Sequence, residues 1–237
     1  MTKLTSDLAG ILANAGSFDY PFDSLKLIGK IKSPDNAFRI FTWNIFLSNE
    51  TFKNFGIIQV KPEKDKNCQV IILHDNTHID SVNNSKLSPG NWYGALYYRI
   101  IPVRISGIDY YTLLGLDSYS PYISKKIIDV LYFDQGRTVI GAPIYNIKGK
   151  LHSRMIFSYS ARISMMLNYD EMLKSIVFDH LAPSESRYTG QYEFYGPDFS
   201  FDGLIFKENQ WVLVEDVKPN RPARSGKKDR RPSSNKL

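Results

Sequence analysis

Residues Trp92–Leu116 read WYGALYYRIIPVRISGIDYYTLLGL, and this stretch indicates the fold class. Aromatic and β-branched side chains dominate it, and such side chains favour the pleated surface of a sheet. The turn residues Ser106-Gly107 interrupt the run, which predicts a hairpin of two strands, Trp92–Ile105 and Tyr110–Leu116. Pro102 predicts a bend in the first strand, because proline cannot donate a hydrogen bond to a ladder.

The same alternation of short apolar runs and turn residues extends over most of the chain. About a dozen short strands at this spacing predict a mainly β fold, an antiparallel meander with the outline of a barrel, a sandwich or an irregular propeller. Leu4, Leu8 and Ile11 recur at helical spacing and predict a short N-terminal helix. Ser120 as a cap, followed by Pro121, predicts one short internal helix.

Positive charge is concentrated at one end of the chain. Residues Lys218–Leu237 include eight basic residues and one acidic residue, a net charge of +7, whereas the whole chain carries +6. We therefore predict an N-terminal helix at 1–17, a single β-rich domain at 18–217 and a disordered basic tail at 218–237. The near-neutral body argues against a specific nucleic-acid partner, while the tail is suited to contact anionic surfaces.

Several motifs that would identify a function are missing from the sequence. It contains no phosphate-binding loop, no dinucleotide-binding glycine pattern and, with a single cysteine, no paired CxxC. The sequence contains no apolar run of about 18 residues, so it predicts no transmembrane helix. The first residues do not resemble a signal peptide. The sequence therefore offers no support for nucleotide, dinucleotide or structural zinc binding.

Two segments carry side chains that could hold a divalent cation. His74 and His78 lie in the polar stretch His74–Asp80, and oxygen and nitrogen ligands could converge there. Asp198 and Asp202 flank a loop bounded by Gly and Pro, and paired carboxylates suit Ca²⁺ or acid–base catalysis. Each segment also has a plainer interpretation, as a solvated loop or as turn chemistry. A divalent cation is the only cofactor that the sequence suggests.

A third segment contains Asp179, His180, Ser184 and Ser186, which on paper resemble a catalytic triad. Neighbouring residues of a strand point to opposite faces, so we expect that Asp179 does not orient His180. The nucleophile elbow of α/β-hydrolases is absent as well.

Aromatic residues in the strands allow two interpretations. Five of them could form an exposed platform for stacking sugars or peptides, although aromatics at this density more often form a core. They are Trp43, Trp92, Tyr93, Tyr97 and Tyr98.

Four strings of sequence resemble an uncharacterised family of Bacteroidetes proteins. They are Phe38–Asn44 (FRIFTWN), Asn91–Tyr98 (NWYGALYY), Val177–Pro183 (VFDHLAP) and Gln191–Gly203 (QYEFYGPDFSFDG). The resemblance spans about Phe18–Val217. It implies an exported protein of the periplasm or cell envelope, and it supplies no catalytic residues because the family has no assigned activity.

These observations favour a non-enzymatic binding or scaffolding module of the bacterial envelope, with an envelope protein or a glycan as its partner. The alternative is a metal-assisted hydrolase or carbohydrate-active enzyme that uses His74, His78, Asp198 and Asp202. A third hypothesis is anion binding through the tail.

Overall fold

The computed structural model describes residues 2–64, 66–76, 79 and 81–218. Within them the fold is mainly β, as predicted, with antiparallel sheets and one N-terminal α-helix. That helix, α1, spans Lys3–Leu12, and the side chain of its N-cap, Thr2, accepts a hydrogen bond from the amide of Thr5. In the same residues no helix is long and apolar enough to cross a membrane.

The strands form three sheets. The first sheet is a meander in chain order, consisting of β1 (Gly29–Lys32), β2 (Phe38–Phe46), β3 (Phe52–Val60) and β4 (Gln69–His74). The middle sheet has the order β11-β7-β6-β5, with a further strand on β7: β5 (Leu96–Ile105), β6 (Ile108–Asp117), β7 (Ile123–Asp134), β8 (Arg137–Ile140) and β11 (Met155–Ser160).

The last sheet has the order β10-β9-β15-β14-β13-β12. Its strands are β9 (Tyr145–Ile147), β10 (Lys150–His152), β12 (Leu167–Asp170), β13 (Ser175–Pro183), β14 (Tyr195–Lys207) and β15 (Gln210–Val214). All its pairs are antiparallel except β9 with β15, where Tyr145 stands opposite Trp211.

The middle sheet is buried on both faces, which explains its nearly continuous apolar sequence. Leu113 and Ile127 pack into one core cluster with side chains of the first sheet, while Leu114 and Ile128 pack into another with the last sheet. On the other face of the first sheet, Leu8 of α1 packs into a third cluster. The alternating side chains of β6 and β7 thus tie the first and last sheets to one central layer.

The predicted hairpin is present as β5 and β6. Ser106 and Gly107 join the two strands, both with positive φ, as a tight hairpin turn requires. The ladder continues through Pro102, opposite Tyr111, and the irregularity falls instead between Tyr97 and Arg99. β5 tolerates a proline because it is an edge strand.

The predicted internal helix at Ser120 and Pro121 is wrong. Ser120 Oγ accepts hydrogen bonds from the amides of Tyr122 and Ile123, so the serine caps a turn that leads directly into β7. The other helical segments of the described residues are 3₁₀ turns of three residues each: Ala15–Ser17, Val82–Asn84, Pro89–Asn91, Ser186–Tyr188 and Tyr192–Phe194. The predicted tail, apart from Lys218, lies outside the described residues.

Candidate functional site

The structure places three of the four predicted metal ligands in two different sheets. His74 is the exposed last residue of β4 in the first sheet, whereas Asp198 and Asp202 both lie on β14 of the last sheet. His78 lies outside the described residues. Among the described residues no three His, Cys, Asp or Glu side chains are grouped so that they could hold a metal ion. The four-residue cation site therefore stays a prediction.

An open groove lies beside Asp198, with a volume of about 660 Å³. Its lining is largely apolar, and Tyr122, Ile163 and Phe194 in it are 56%, 41% and 38% exposed. Exposed apolar side chains concentrated in one concave surface are typical of a binding site. We call this surface the aromatic groove; its apolar lining residues are Tyr122, Ile163, Ala182, Pro183, Phe194, Tyr195 and Pro197.

The segment that joins β13 to β14 holds the aromatic side chains in place. Its two 3₁₀ turns bring the rings of Tyr188 and Phe194 into a stack with centroids 4.1 Å apart. The Ser184 amide donates to the Phe194 carbonyl at 2.9 Å, and the Gly190 amide donates to Tyr195 Oη at 3.0 Å. The connection is therefore a loop packed by its own side chains, a form that often carries function.

Gly196 forms a close contact at the wall of the groove. A Cβ at this position would lie 2.6 Å from Cδ1 of Ile163. Only glycine lets the Ile163 side chain approach the backbone of β14 so closely.

Polar side chains also line the groove, and carboxylates outnumber cations among them. Arg162 contributes one positive charge, while Glu193 and Asp198 contribute two negative charges. Asp198 Oδ1 accepts hydrogen bonds from Ser200 Oγ at 2.7 Å and from the Ser200 amide at 3.0 Å. These bonds lower the pKa of the Asp198 carboxyl, which keeps it ionised at neutral pH.

A large bulge on β14 lies next to the groove. Asp179 stands opposite Phe201, and the next pair is Leu181 with Pro197, so three residues of β14 oppose the single residue His180. Phe199, at the centre of the bulge, has φ of 72° and is 92% exposed. An aromatic residue with positive φ is an outlier, and bulges are common next to functional sites.

Beside the bulge, His180 lies diagonally across the ladder from Asp202, which stands opposite Phe178. His180 Nδ1 and Asp202 Oδ2 are 2.8 Å apart, and the histidine side chain is 47% exposed. The hydrogen bond to Asp202 raises the pKa of His180. Asp179 is turned away, as expected, because its Oδ2 accepts a hydrogen bond from the Met166 amide at 2.6 Å.

No serine completes a triad with this pair in the described residues. Ser184 lines the groove, but no serine hydroxyl there hydrogen-bonds to His180. The arrangement therefore has an oriented imidazole without a positioned nucleophile.

The aromatic platform predicted from the strands is mostly core. Trp43, Trp92, Tyr93 and Tyr97 are buried, and only Tyr98 is partly exposed, at 38%. The exposed aromatics that line the groove come from other segments and were missed. A signal for them was present in Gln191–Gly203, where aromatics stand among Gly and Pro instead of alternating as in a strand.

Comparisons of the chain with protein-family models, with curated proteins and with solved structures found no match.

Proposed function

We propose that this protein is a non-enzymatic binding module whose aromatic groove holds an extended, proline-containing peptide with basic side chains. The observation that carries the proposal is the exposure of Tyr122, Ile163 and Phe194 along one concave surface. Aromatic-lined grooves of this kind suit peptides in the polyproline II conformation, whose low entropy reduces the cost of binding. The resemblance to an exported Bacteroidetes family supports a location in the periplasm or envelope.

The charge of the groove supports a basic peptide over an acidic one. Glu193 and Asp198 leave the lining with one more negative than positive charge, and Asp198 is held in its ionised form. Complementary charge chiefly sets specificity and the association rate. A basic peptide should therefore bind faster and more selectively at low salt.

Peptide binding can be tested with labelled synthetic peptides of equal length and proline content. One peptide carries arginines and the other glutamates, and a neutral oligosaccharide serves as the third probe. We expect the arginine peptide to bind by fluorescence anisotropy and isothermal calorimetry. Phe194→Ala and Tyr122→Ala should each weaken binding by about tenfold, because central aromatics supply most of the affinity of such sites.

Tyr20→Ala is the matched control, because Tyr20 is an exposed tyrosine (58%) that does not line the groove. An equal loss of affinity in this variant would show that the peptide does not bind in the groove. If only the oligosaccharide binds, the ligand of the groove is a glycan and not a peptide. Turnover of an ester, glycan or peptide that is abolished by Asp198→Ala would contradict the non-enzymatic role.

The metal-assisted hydrolase is a second proposal with less support. It needs His74 and His78 close to Asp198 and Asp202, but His74 lies in a different sheet from the two carboxylates. Elemental analysis of the purified protein tests it directly, because it requires a stoichiometric divalent cation that is lost in Asp198→Ala.

A further inference from the structure

A buried polar cluster lies where the first sheet meets the middle sheet, and it is independent of the groove. Asn54 of β3 and Asp117 at the end of β6 are 1% and 0% exposed. Asp75, just after β4, and Gly94, just before β5, complete the cluster. We call these four residues the Asn54–Asp117 cluster.

Asp75 has a donor for each of its carboxylate oxygens. Oδ2 accepts from the Asn54 amide at 2.8 Å, and Oδ1 accepts from the Gly94 amide at 3.2 Å. A carboxylate that receives backbone N–H groups on both oxygens is satisfied in its ionised form.

Asp117 has donors on one oxygen only. Its Oδ1 accepts from Asn54 Nδ2 at 3.2 Å and from the Tyr119 amide at 3.0 Å. Its Oδ2 and the Oδ1 atom of Asn54 are both buried without a hydrogen-bond partner. An ionised carboxylate oxygen and an amide oxygen can only accept, so neither of these two atoms can supply the donor that the other lacks. Leaving buried acceptors unpaired is costly.

The nearest cation does not supply the missing donor. Lys125 Nζ donates to Tyr93 Oη at 3.2 Å and lies 3.3 Å from the centre of the Tyr119 ring. Among the described residues it makes no ion pair with a carboxylate. Space is also limited, because a Cβ on Gly94 would lie 2.3 Å from Asp75 Oδ1 and 2.7 Å from Asn54 Nδ2.

We propose that Asp117 is a neutral carboxylic acid at neutral pH and that its Oδ2–H donates to Asn54 Oδ1. Together with the Nδ2–H···Oδ1 bond already present, this proton closes a cyclic pair between a carboxylic acid and an amide. The pair satisfies both orphaned acceptors at once. The proposal also holds if the Oδ1 and Nδ2 atoms of Asn54 are exchanged. Asn54 Oδ1 then lies beside Asp117 Oδ1, and a proton is again needed between two oxygens.

The electrostatic surroundings raise the pKa of Asp117, which is the direction that the proposal requires. Burial raises its pKa and outweighs the opposing effects of its hydrogen bonds from Asn54 and Tyr119 and of the charge on Lys125. Asp75 is the other titratable group of the cluster. Around it stand Lys53, whose charge lowers the pKa of Asp75, and Tyr93 with the groups that influence it, Tyr119 and Arg154. Burial and the like charge of Asp117 also raise the pKa of Asp75, so each of the two neighbouring carboxylates disfavours the ionised form of the other.

The decisive variant is Asp117→Asn, because asparagine reproduces the donor and acceptor of the protonated acid. We expect its unfolding midpoint in urea at neutral pH to equal or exceed that of the wild type. The sign of the pH dependence follows from the raised pKa: the contribution of Asp117 is full at acid pH and is lost as pH rises through its pKa in the folded state. Asp117→Asn should remove this decline, which begins above the ordinary aspartate pKa of 3.8.

Asp129→Asn is the matched control, because Asp129 is equally buried but forms an ion pair with Arg154. This variant should lower the midpoint clearly, since it leaves the guanidinium uncompensated. If Asp117→Asn lowers the midpoint as much as Asp129→Asn does, Asp117 is a carboxylate and the proposal fails.

Carboxyl ¹³C NMR provides a second measurement on the intact wild type. The side-chain carboxyl resonance of Asp117, assigned by correlation to its own backbone, should keep the chemical shift of a protonated acid at neutral pH. A shift of an ionised carboxylate at that pH would overturn the proposal even if the variant were too unstable to study.

Discussion

The interior and the bulged region beside the groove each contain an acidic side chain paired with a basic one, but in opposite surroundings. Asp129 and Arg154 are 3.2 Å apart with both side chains at 0% exposure. Asp202 and His180 are 2.8 Å apart with exposures of 13% and 47%. The buried pair therefore has a structural role, whereas the exposed pair is accessible to a ligand or to a proton from solvent.

The interior pair is embedded in a network without free groups. Asp129 also accepts from the Val130 amide and from Tyr97 Oη, while Arg154 donates to the carbonyl oxygens of Val82, Ser85 and Ile140. Neither side chain has an unpartnered buried atom. This network holds the segment around Ser85 onto the middle sheet. Removing one member leaves its partners buried without a hydrogen bond, which destabilises the fold.

Arg154→Met should have the largest effect on stability, because it leaves Asp129 buried and unpaired. We expect it to lower the free energy of unfolding by about 3–5 kcal/mol. Urea denaturation followed by tryptophan fluorescence measures this. Arg104→Met is the control: Arg104 forms an exposed ion pair with Asp109, and such pairs contribute about 1 kcal/mol or less. Similar losses in both variants would mean that the interior pair has no special role.

Sequence reasoning predicted the strands better than the pairing of side chains. The hairpin β5–β6 and helix α1 follow from apolar periodicity and turn residues, which are local signals. The helix at Ser120 failed because a cap and a proline also suit a turn before a strand. Asp198 and Asp202 are predicted as candidate cation ligands because they flank a loop bounded by Gly and Pro, which is again a local signal.

The partner of Asp202 could not be predicted in the same way. His180 lies diagonally across the ladder from it, in the register that sets Phe178 opposite Asp202, and this register depends on tertiary packing. The sequence also does not predict which individual aromatic residues are buried. Trp92 and Phe194 occur in similarly aromatic strings, yet one is fully buried and the other 38% exposed.

Phe199→Gly should have an intermediate effect on the free energy of unfolding, and it should raise it where Arg154→Met lowers it. Phe199 adopts φ of 72° without burying its ring, so the bulge carries backbone strain that glycine relieves. We expect the variant to be more stable by up to about 1 kcal/mol in the same denaturation experiment. Phe199→Ala keeps the strain and should gain nothing. An equal gain from alanine would show that removal of the exposed ring, and not the backbone, is responsible.

The smallest effect should come from the exposed pair. The hydrogen bond that His180 donates to Asp202 raises the pKa of His180 above its ordinary value of 6.5, so the pair stabilises the fold fully below that value. This stability is lost as pH rises through the higher pKa of the folded state. Because nearly half of the histidine side chain is exposed, we expect a contribution of about 1 kcal/mol or less.

Asp202→Asn tests this, with the free energy of unfolding measured at a series of pH values through the titration of His180. The variant should flatten the decline with pH and return the His180 titration, followed by proton NMR, towards 6.5. Asp109→Asn, which removes an exposed carboxylate far along the sequence from His180, should leave both unchanged. A His180 titration that does not move in Asp202→Asn would mean that Asp202 does not set the protonation of His180. The exposed pair would then differ from the interior one in function as well as in burial, because Asp202 would hold neither the ring nor its proton.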